Sequence, residues 1–234
     1  MIRLKRLAIF AVVVVAASGC SDDSSTPPDS SPQDSAVDQP VVVPDTATDT
    51  APDAPVLTGL LTNEFPCQEQ HPLMGLAPDP GEEGHLAAAR LTPESYPFTV
   101  KSVRYTLLAD EDKKWSVNLA HRVEVYVTTA SAPEATPTVK ETIDVPAATE
   151  TVEERTIVKD LAAPITLQTG EHLIVAVEMA GDAATAVLCL RGCPGHGIAD
   201  RNYWSNATQP PYDWKTLDSL GIDTNLLIQA VAAE

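Results

Sequence analysis

Four aromatic side chains near the carboxyl-terminal end of the chain are the residues best suited to ligand binding. They fall within twelve positions of a sequence in which 5% of the residues are aromatic. Exposed faces of Tyr and Trp stack on sugar rings, and a neighbouring Asn amide can hydrogen-bond sugar hydroxyl groups. The candidate ligand-binding residues are therefore Tyr203, Trp204, Tyr212, Trp214 and Asn206.

The same four rings have a second interpretation, in which they close the end of a hydrophobic core. Tyr203 and Trp204 are adjacent, so in a β-strand their side chains point to opposite faces. One of them must then leave the core, unless both faces of the sheet are covered. The sequence favours the core interpretation and keeps the ligand platform as the alternative.

Three cysteines, Cys67, Cys189 and Cys193, are candidates for a disulfide bond once Cys20 is set aside. Three thiols permit one bridge and leave one thiol over. The pair Cys189–Cys193 is slightly favoured, because the glycine and the proline on either side of Cys193 are typical of a turn. In the alternative, Cys67 ties the irregular segment before the first strand onto the domain.

Catalytic motifs are missing from the sequence. None of the five histidines lies in a zinc-protease pattern, and there is neither a Gly-x-Ser-x-Gly elbow nor a phosphate-binding glycine loop. His121 and His172 stand at the starts of apparent strands, where a surface or packing role is expected. His196, close to Cys193, supports a zinc site only weakly, because zinc needs a second pair of ligands. The sequence therefore predicts that the protein is not an enzyme.

The amino-terminal segment is typical of an export signal. Arg3, Lys5 and Arg6 precede an apolar stretch about half as long as the ~20 residues of a membrane-spanning helix. The stretch ends in Ala17-Ser18-Gly19-Cys20, which resembles a bacterial lipobox, the sequence at which a lipoprotein is cleaved and acylated. The resemblance implies a signal peptide at residues 1–19 and lipidation, including palmitate, at Cys20.

The residue after the acylated cysteine bears on localisation. In the sorting pattern of enteric lipoproteins, an aspartate at that position retains the protein at the inner membrane. Here Ser21 follows Cys20 and Asp22 comes one place later, which favours attachment at the outer membrane or cell surface. The alternative is an ordinary signal peptide that is cut nearby, with Cys20 incidental.

Residues 20–55 are predicted to be a disordered tether. After Cys20 they are rich in Asp, Ser, Thr and Pro and contain no Lys or Arg, a composition that cannot bury enough apolar surface to offset chain entropy. The remaining residues 56–234 hold 12 basic and 25 acidic residues. This charge argues against nucleic acid as a partner, because nucleic-acid binding depends on Lys and Arg neutralising phosphates.

Residues 56–234 are predicted to form β-strands throughout. In the ranges 98–108, 121–128 and 173–179, apolar residues alternate with polar or outward-facing ones, and a period of two is typical of half-buried strands. Turn signals separate short strands, as in all-β sandwiches. Shorter strands are expected at 155–161 and 164–167, and a single helical turn near 214–220.

The order of these segments resembles a jelly-roll-like antiparallel β-sandwich of secreted bacterial proteins. With the acidic tether, the chain is similar to uncharacterised surface lipoproteins of myxobacteria. The resemblance implies an all-β architecture and no particular activity. Four parts of the sequence support the resemblance: residues 96–105, residues 167–177, the pair of segments Asn202-Tyr203-Trp204-Ser205-Asn206 and Pro211-Tyr212-Asp213-Trp214, and residues 225–228.

The resemblance to sandwich domains also suggests a cofactor, since those that bind sugars often hold a structural calcium ion. Calcium takes six to eight oxygen ligands, often from loop carboxylates. No EF-type loop is present, so calcium rests on this analogy. The candidate ligands are Asp110, Asp112, Asp200 and Asp213.

These features predict a lipid-anchored cell-envelope protein that displays one β-sandwich on an acidic tether. Its expected role is non-catalytic, either structural or in binding an envelope protein or a glycan. One alternative is a carbohydrate-binding module that uses Trp204 and Trp214, with a structural calcium ion. The other alternative is a hydrolase whose catalytic acids form no recognisable motif.

Overall fold

The computed structural model describes residues 60–61, 74–195 and 197–233, all within the unit Asp53–Glu234. Predictions for the signal peptide, the tether, Cys20, Cys67 and His196 lie outside these residues. Strands dominate, together with one 3-10 turn at Asp218–Leu220, and no described helix has the length and apolarity to cross a membrane.

The strands are β1 (Leu60–Leu61), β2 (Met74–Leu76), β3 (Leu86–Leu91), β4 (Phe98–Leu108), β5 (Trp115–Ser116), β6 (His121–Thr128), β7 (Val139–Val145), β8 (Glu154–Leu167), β9 (His172–Glu178), β10 (Gly181–Asp182), β11 (Ala186–Leu188), β12 (Leu190–Pro194), β13 (Asn202–Ser205), β14 (Trp214–Thr216), β15 (Thr224–Leu226) and β16 (Ile228–Ala232).

Two antiparallel sheets form the sandwich. The seven-stranded sheet is centred on β4, which pairs with β8 on one side and with β16 and β12 on the other. In this sheet β1 pairs with β16, and β2 and β15 both pair with β12. The six-stranded sheet has the order β14-β13-β3-β9-β6-β7. A small third sheet joins β10, β11 and β5, with β11 and β5 parallel.

The winding is that of a jelly-roll-like sandwich. Strands β3 and β4 follow each other in the chain but lie in different sheets, and so do β8 and β9. β3 pairs with β9 in one sheet, and β4 pairs with β8 in the other. The chain therefore crosses from the β3–β9 pair to the β4–β8 pair at two connections, β3 to β4 and β8 to β9. The predicted all-β antiparallel sandwich is confirmed.

The inter-sheet core is built by the alternation seen in the sequence. Inward side chains of both sheets are buried at every second position, and burial of each large aliphatic side chain contributes about 1.5–3 kcal/mol. The strands β4 and β6 have the predicted bounds, and their inward residues lie in this core. Its members include Ala87, Ala89 and Leu91 of β3, Val103, Tyr105 and Leu107 of β4, Val123 and Val125 of β6, and Leu173, Val175 and Val177 of β9.

The outward face of the six-stranded sheet is apolar as well. There the intervening residues of β3, β6 and β9 pack with aromatic rings from β13 and the segment before β14. We name this group the outer cluster. It consists of Leu86, Ala88, Tyr126, Ile174, Ala176, Tyr203 and Tyr212, with Ala207 and Trp214 partly buried against it.

Candidate functional site

Tyr203 and Trp204 are both buried, because both faces of the six-stranded sheet are covered. Trp204 is 4% exposed and lies in the inter-sheet core, where its ring is 6.0 Å from that of His85. Tyr203 is 1% exposed and lies in the outer cluster. Its hydroxyl donates to the carbonyl oxygens of Ser131 and Asp200, at 2.9 and 2.6 Å.

Tyr212 and Trp214 also serve the outer cluster. Tyr212 is 3% exposed, and its hydroxyl donates to the two carboxylate oxygens of Glu124 at 3.1 and 3.2 Å. Trp214 is partly buried, and its Nε1–H donates to the carbonyl of Glu134 at 3.0 Å. Desolvation raises the pKa of Tyr212 to about 12.

The predicted ligand platform therefore needs correction. Tyr203, Trp204 and Tyr212 expose almost no surface, so their rings cannot stack on a sugar, and the core interpretation of these three residues is confirmed. Asn206 is exposed, and its backbone N–H donates to the carbonyl of Asp213 at 3.1 Å. The carbohydrate-binding interpretation built on Trp204 loses its stacking surface.

The four aspartates predicted as calcium ligands are not brought together. Asp110 pairs with Lys113 and Asp213 pairs with Lys215, each at 2.9 Å, and hydrogen bonds from these lysines lower the pKa of each carboxyl. Over the described residues no three His, Cys, Asp or Glu side chains form a group that could hold a metal ion. The predicted calcium ligand set is not assembled here.

The favoured Cys189–Cys193 bridge is wrong. Cys189 is a buried free thiol, and burial raises its pKa, whereas Cys193 is disulfide-bonded. The chain runs extended from Cys189 through β12, and four residues of strand span about 13 Å, well beyond the roughly 7 Å that a bridge allows. The expected turn is absent because Gly192 belongs to β12, where a Cβ would lie 2.5 Å from Thr224 Oγ1.

His121 has a packing role inside the sandwich. Its Nδ1–H donates to the carbonyl of Leu119 at 2.8 Å, so Nε2 accepts a hydrogen bond from the hydroxyl of Tyr105 at 2.5 Å. Burial lowers the pKa of His121 and raises that of Tyr105. Both groups therefore stay neutral near pH 7 and satisfy each other in the core.

A cleft of about 380 Å³ opens between two edge strands, β7 and β8. It combines apolar side chains with one cation and one carboxylate, and no prediction from the sequence pointed to it. We name it the edge cleft. It is lined by Val127, Lys140, Pro164, Ile165, Thr166 and Glu171.

Bulges in both edge strands shape this cleft. In β8, residues 161–164 stand opposite Lys101 alone, because Val100 pairs with Ile165 and Ser102 pairs with Asp160. Pro164 is tolerated there because it lies on an edge strand at a bulge. The register between β6 and β7 also shifts, between Val125 and Tyr126. Such bulges bend the strand and redirect side chains.

A carboxylate of β7 holds the two edges together. Glu141 accepts hydrogen bonds from the backbone N–H of Ala162 at 3.0 and 2.9 Å, through its two oxygen atoms. Ala162 lies in the bulge of β8, so the contact fixes the bulged backbone against the other sheet. The edge cleft is therefore formed by the fold itself and does not require a ligand to open it.

Large exposed hydrophobic residues are concentrated at the same edge. Val139 of β7 is 36% exposed, Val158 of β8 is 54% exposed, and Val152 in the connection between these strands is 42% exposed. Single exposed aliphatic residues are ordinary. Val139 adjoins Lys140 of the edge cleft, and the other two residues lie farther along β8 and in the connection, so we take this edge as the candidate functional site.

Comparisons with known proteins assign no family. No family model and no curated protein matches the sequence. Two solved structures are distantly similar, the cysteine protease and lectin-like domains of Cwp84, a surface layer associated protein of Clostridium difficile, and the clostridial cysteine protease Cwp84 after propeptide cleavage. The first is 15% identical with a TM-score of 0.44, and the match covers 63% of this chain and 32% of that one. The second is 12% identical with a TM-score of 0.43, and the match covers 69% of this chain and 37% of that one. This chain therefore spans about a third of the length of either solved structure.

Proposed function

We propose that this chain is a lipid-anchored envelope protein whose sandwich binds an extended segment of a partner protein along the β7–β8 edge. The observation that supports this proposal is the coincidence of the edge cleft with Val139, Val152 and Val158 on the same two edge strands and their connection. The role is binding, and no catalytic step is assigned to the domain.

Edge strands offer a partner its main-chain hydrogen bonds. Within the described residues β7 pairs with β6 alone and β8 with β4 alone, so one side of each strand has unpaired backbone groups. An extended peptide can add to such an edge, with affinity from the backbone and specificity from pockets for alternate side chains. The edge cleft provides such a pocket next to both strands.

The lining of the edge cleft indicates which side chains it accepts. Val127 and Ile165 supply apolar surface, while Lys140 and Glu171 supply opposite charges at the same opening. A segment with an apolar residue flanked by charged ones would match this lining. The acidic net charge of the chain, −18, favours a partner segment that is basic overall.

The anchor and the tether complete the proposed arrangement. Acylation of Cys20 would hold the chain at the membrane, where two or more acyl chains are needed for stable attachment. The 35 residues 21–55 would reach on the order of 100 Å in a polyproline-like path, far enough to present the edge to a neighbouring protein. Metabolic labelling with a fatty-acid analogue should mark the full chain and not its Cys20→Ser variant.

Co-purification from envelopes tests the edge directly. A charge placed at the most exposed valine, Val158→Glu in the full chain, should reduce recovery of the partner protein at least tenfold, because a carboxylate would be buried unpaired against an incoming strand. Ala184→Glu is the matched control, since it adds the same charge at an exposed position between β10 and β11. Equal recovery with both variants would contradict the proposal.

A further inference from the structure

Two neighbouring residues of β8 carry opposite charges that the described part of the chain does not pair. Lys159 and Asp160 form no ion pair and no side-chain hydrogen bond with a described residue. The other two charged residues of β8, Arg155 and Glu154, are each in an ion pair, at 3.3 and 2.6 Å. The unpaired charges of β8 therefore lie in the half of the strand that leads into the bulge.

The two unpaired charges lie on opposite faces of the sheet. Lys159 pairs in register with Val103, a residue of the inter-sheet core, while Asp160 pairs with Ser102. Lys159 is partly exposed and Asp160 is exposed. Burial lowers the pKa of His121, and the charge of Lys159 adds to this effect, which agrees with an ammonium group directed between the sheets.

An inward-pointing charge on an edge strand opposes the addition of a further strand. The incoming strand would cover the Lys159 ammonium without giving it a partner, and burial of an unpaired charge is costly. Glu141, on the facing edge strand β7, is engaged by the Ala162 N–H. A strand with a carboxylate opposite Lys159 avoids this cost, because opposite residues of paired strands have Cβ atoms about 5 Å apart.

The exposed charge of Asp160 extends the pattern by one residue. Successive side chains of a strand point to opposite faces, so the partner residue opposite Asp160 is the direct neighbour of the residue opposite Lys159. The next partner residue lies opposite Val158, which is 54% exposed. A segment that matches all three positions has an apolar, an acidic and a basic residue in succession, in an order set by the direction of the added strand.

We propose that Lys159 and Asp160 select the partner segment, Lys159 by binding an acidic side chain and Asp160 by binding the basic residue next to it. The proposal rests on the proposed function, because it requires an extended segment added to β8. The partner is a protein segment in which these two charges adjoin, beside an apolar residue that packs on Val158. Specificity of this kind comes from rejecting unmatched strands as well as from attracting the matched one.

Selection of short random peptides displayed on phage, with the purified full chain as the target, tests the pattern. With the unaltered chain we expect an enriched family in which an acidic residue adjoins a basic one. With Lys159→Asp and Asp160→Lys combined, the two charges should exchange places relative to the neighbouring apolar residue. The control combines Asp213→Lys with Lys215→Asp, which reverses an existing ion pair at β14, and should enrich the same family as the unaltered chain.

Titration calorimetry with one synthetic peptide of the enriched family measures the two contacts. Gln in place of its acidic residue should weaken binding to the unaltered chain about tenfold, because a covered ammonium loses its partner. The same change should not alter binding to the Lys159→Gln variant, since the interaction is already absent. Gln in place of the basic residue should weaken binding about twofold, because Asp160 is exposed to water.

The outcomes separate this selectivity from the proposed function. No enriched family with the unaltered chain, or a family that Val158→Glu binds equally well, would overturn the proposed function and the selectivity with it. A family that Val158→Glu no longer binds, but whose charge order is unchanged in the combined Lys159→Asp and Asp160→Lys variant, would overturn the selectivity alone. So would an equal loss from the acid-to-Gln peptide on the unaltered chain and on Lys159→Gln.

Discussion

The central strands of the six-stranded sheet, β13, β3, β9 and β6, are buried on both faces, but each face is covered in a different way. Between the sheets, aliphatic side chains of paired strands pack against each other, and the polar pair Tyr105–His121 is matched internally. On the outward side, the irregular segments 129–138 and 206–213 cover the sheet, held by hydrogen bonds such as that from Tyr212 N to Ala135 O at 2.7 Å. We infer that the inter-sheet core provides most of the stability, while the outer cluster fixes the course of these two segments.

This difference explains the adjacent aromatic residues. Tyr203 and Trp204 point to opposite faces of β13. Each ring lies in an apolar environment, because the inter-sheet core covers one face of the strand and the outer cluster covers the other. An aromatic cluster in a sequence that is poor in aromatic residues is therefore no proof of a ligand platform. In the described part of the chain these rings pack against other side chains, and the large exposed hydrophobic residues lie on the edge strands β7 and β8 and in their connection.

Removing tryptophan from each face should give the largest contrast. Trp204→Ala empties part of the inter-sheet core and should lower the free energy of unfolding by about 3–5 kcal/mol. Trp214→Ala affects a partly exposed ring and should lower it by about 1 kcal/mol, the centre of the usual range for point substitutions. Urea unfolding monitored by circular dichroism measures both. Equal losses would show that the two faces contribute alike.

A buried carboxylate makes the outer cluster sensitive to one hydroxyl group. Glu124 is 8% exposed, so Tyr212→Phe removes a donor from a carboxylate that water hardly reaches. We expect a loss of about 1–3 kcal/mol in the free energy of unfolding. Tyr96→Phe is the comparison, because its hydroxyl donates to the Glu171 carbonyl in a partly exposed setting, and its loss should be about 0.5–1.5 kcal/mol.

Acid should weaken the inter-sheet core more than the outward face. Burial lowers the pKa of His121 from its ordinary value near 6.5, so below that pH the unfolded chain binds a proton that the folded chain excludes. The unfolded state then binds more protons, and the free energy of unfolding falls as the pH drops from about 6.5 toward the lowered pKa. Burial, followed by the charges of Arg90 and Arg201, also lowers the pKa of His172, but this ring is partly exposed and should contribute less.

Unfolding at a series of pH values between 7 and 5 checks this expectation. His121→Gln removes the titrating group and should flatten the decline in stability over this range. His172→Gln should change the slope less than His121→Gln does. A slope that depends more on His172 than on His121 would reverse the proposed order of the two faces.

The local pattern predicts much of the sandwich, and long-range pairing decides the rest. Alternation located β4 and β6 to the residue, because one face of each strand is buried against the other sheet. The predicted strands at 155–161 and 164–167 are a single strand, β8, since pairing with β4 continues past Pro164 through a bulge. The break in the pattern at Ala162 and Ala163 was the available signal for that bulge, and hence for the edge cleft.

Other features were beyond the reach of sequence patterns. The apolar outward positions on β3 and β9 are visible in the sequence, but the segments 129–138 and 206–213 that cover them have no periodicity to reveal their course. The pairing of β3 with β13, which sets Arg90 beside Arg201, joins strands that are more than 100 residues apart in the sequence. The glycine and proline beside Cys193 are typical of turns, yet β12 stays extended because β2 and β15 pair with it.

Site-specific photo-cross-linking in intact cells most directly tests whether the edge, and not the aromatic face, meets a partner. A photoreactive amino acid is placed at Val158 in one full chain and at Trp214 in another, with Ala184 as the background position. We expect a discrete adduct with one partner protein from Val158, and background yield from Trp214. An adduct from Trp214 with none from Val158 would contradict it.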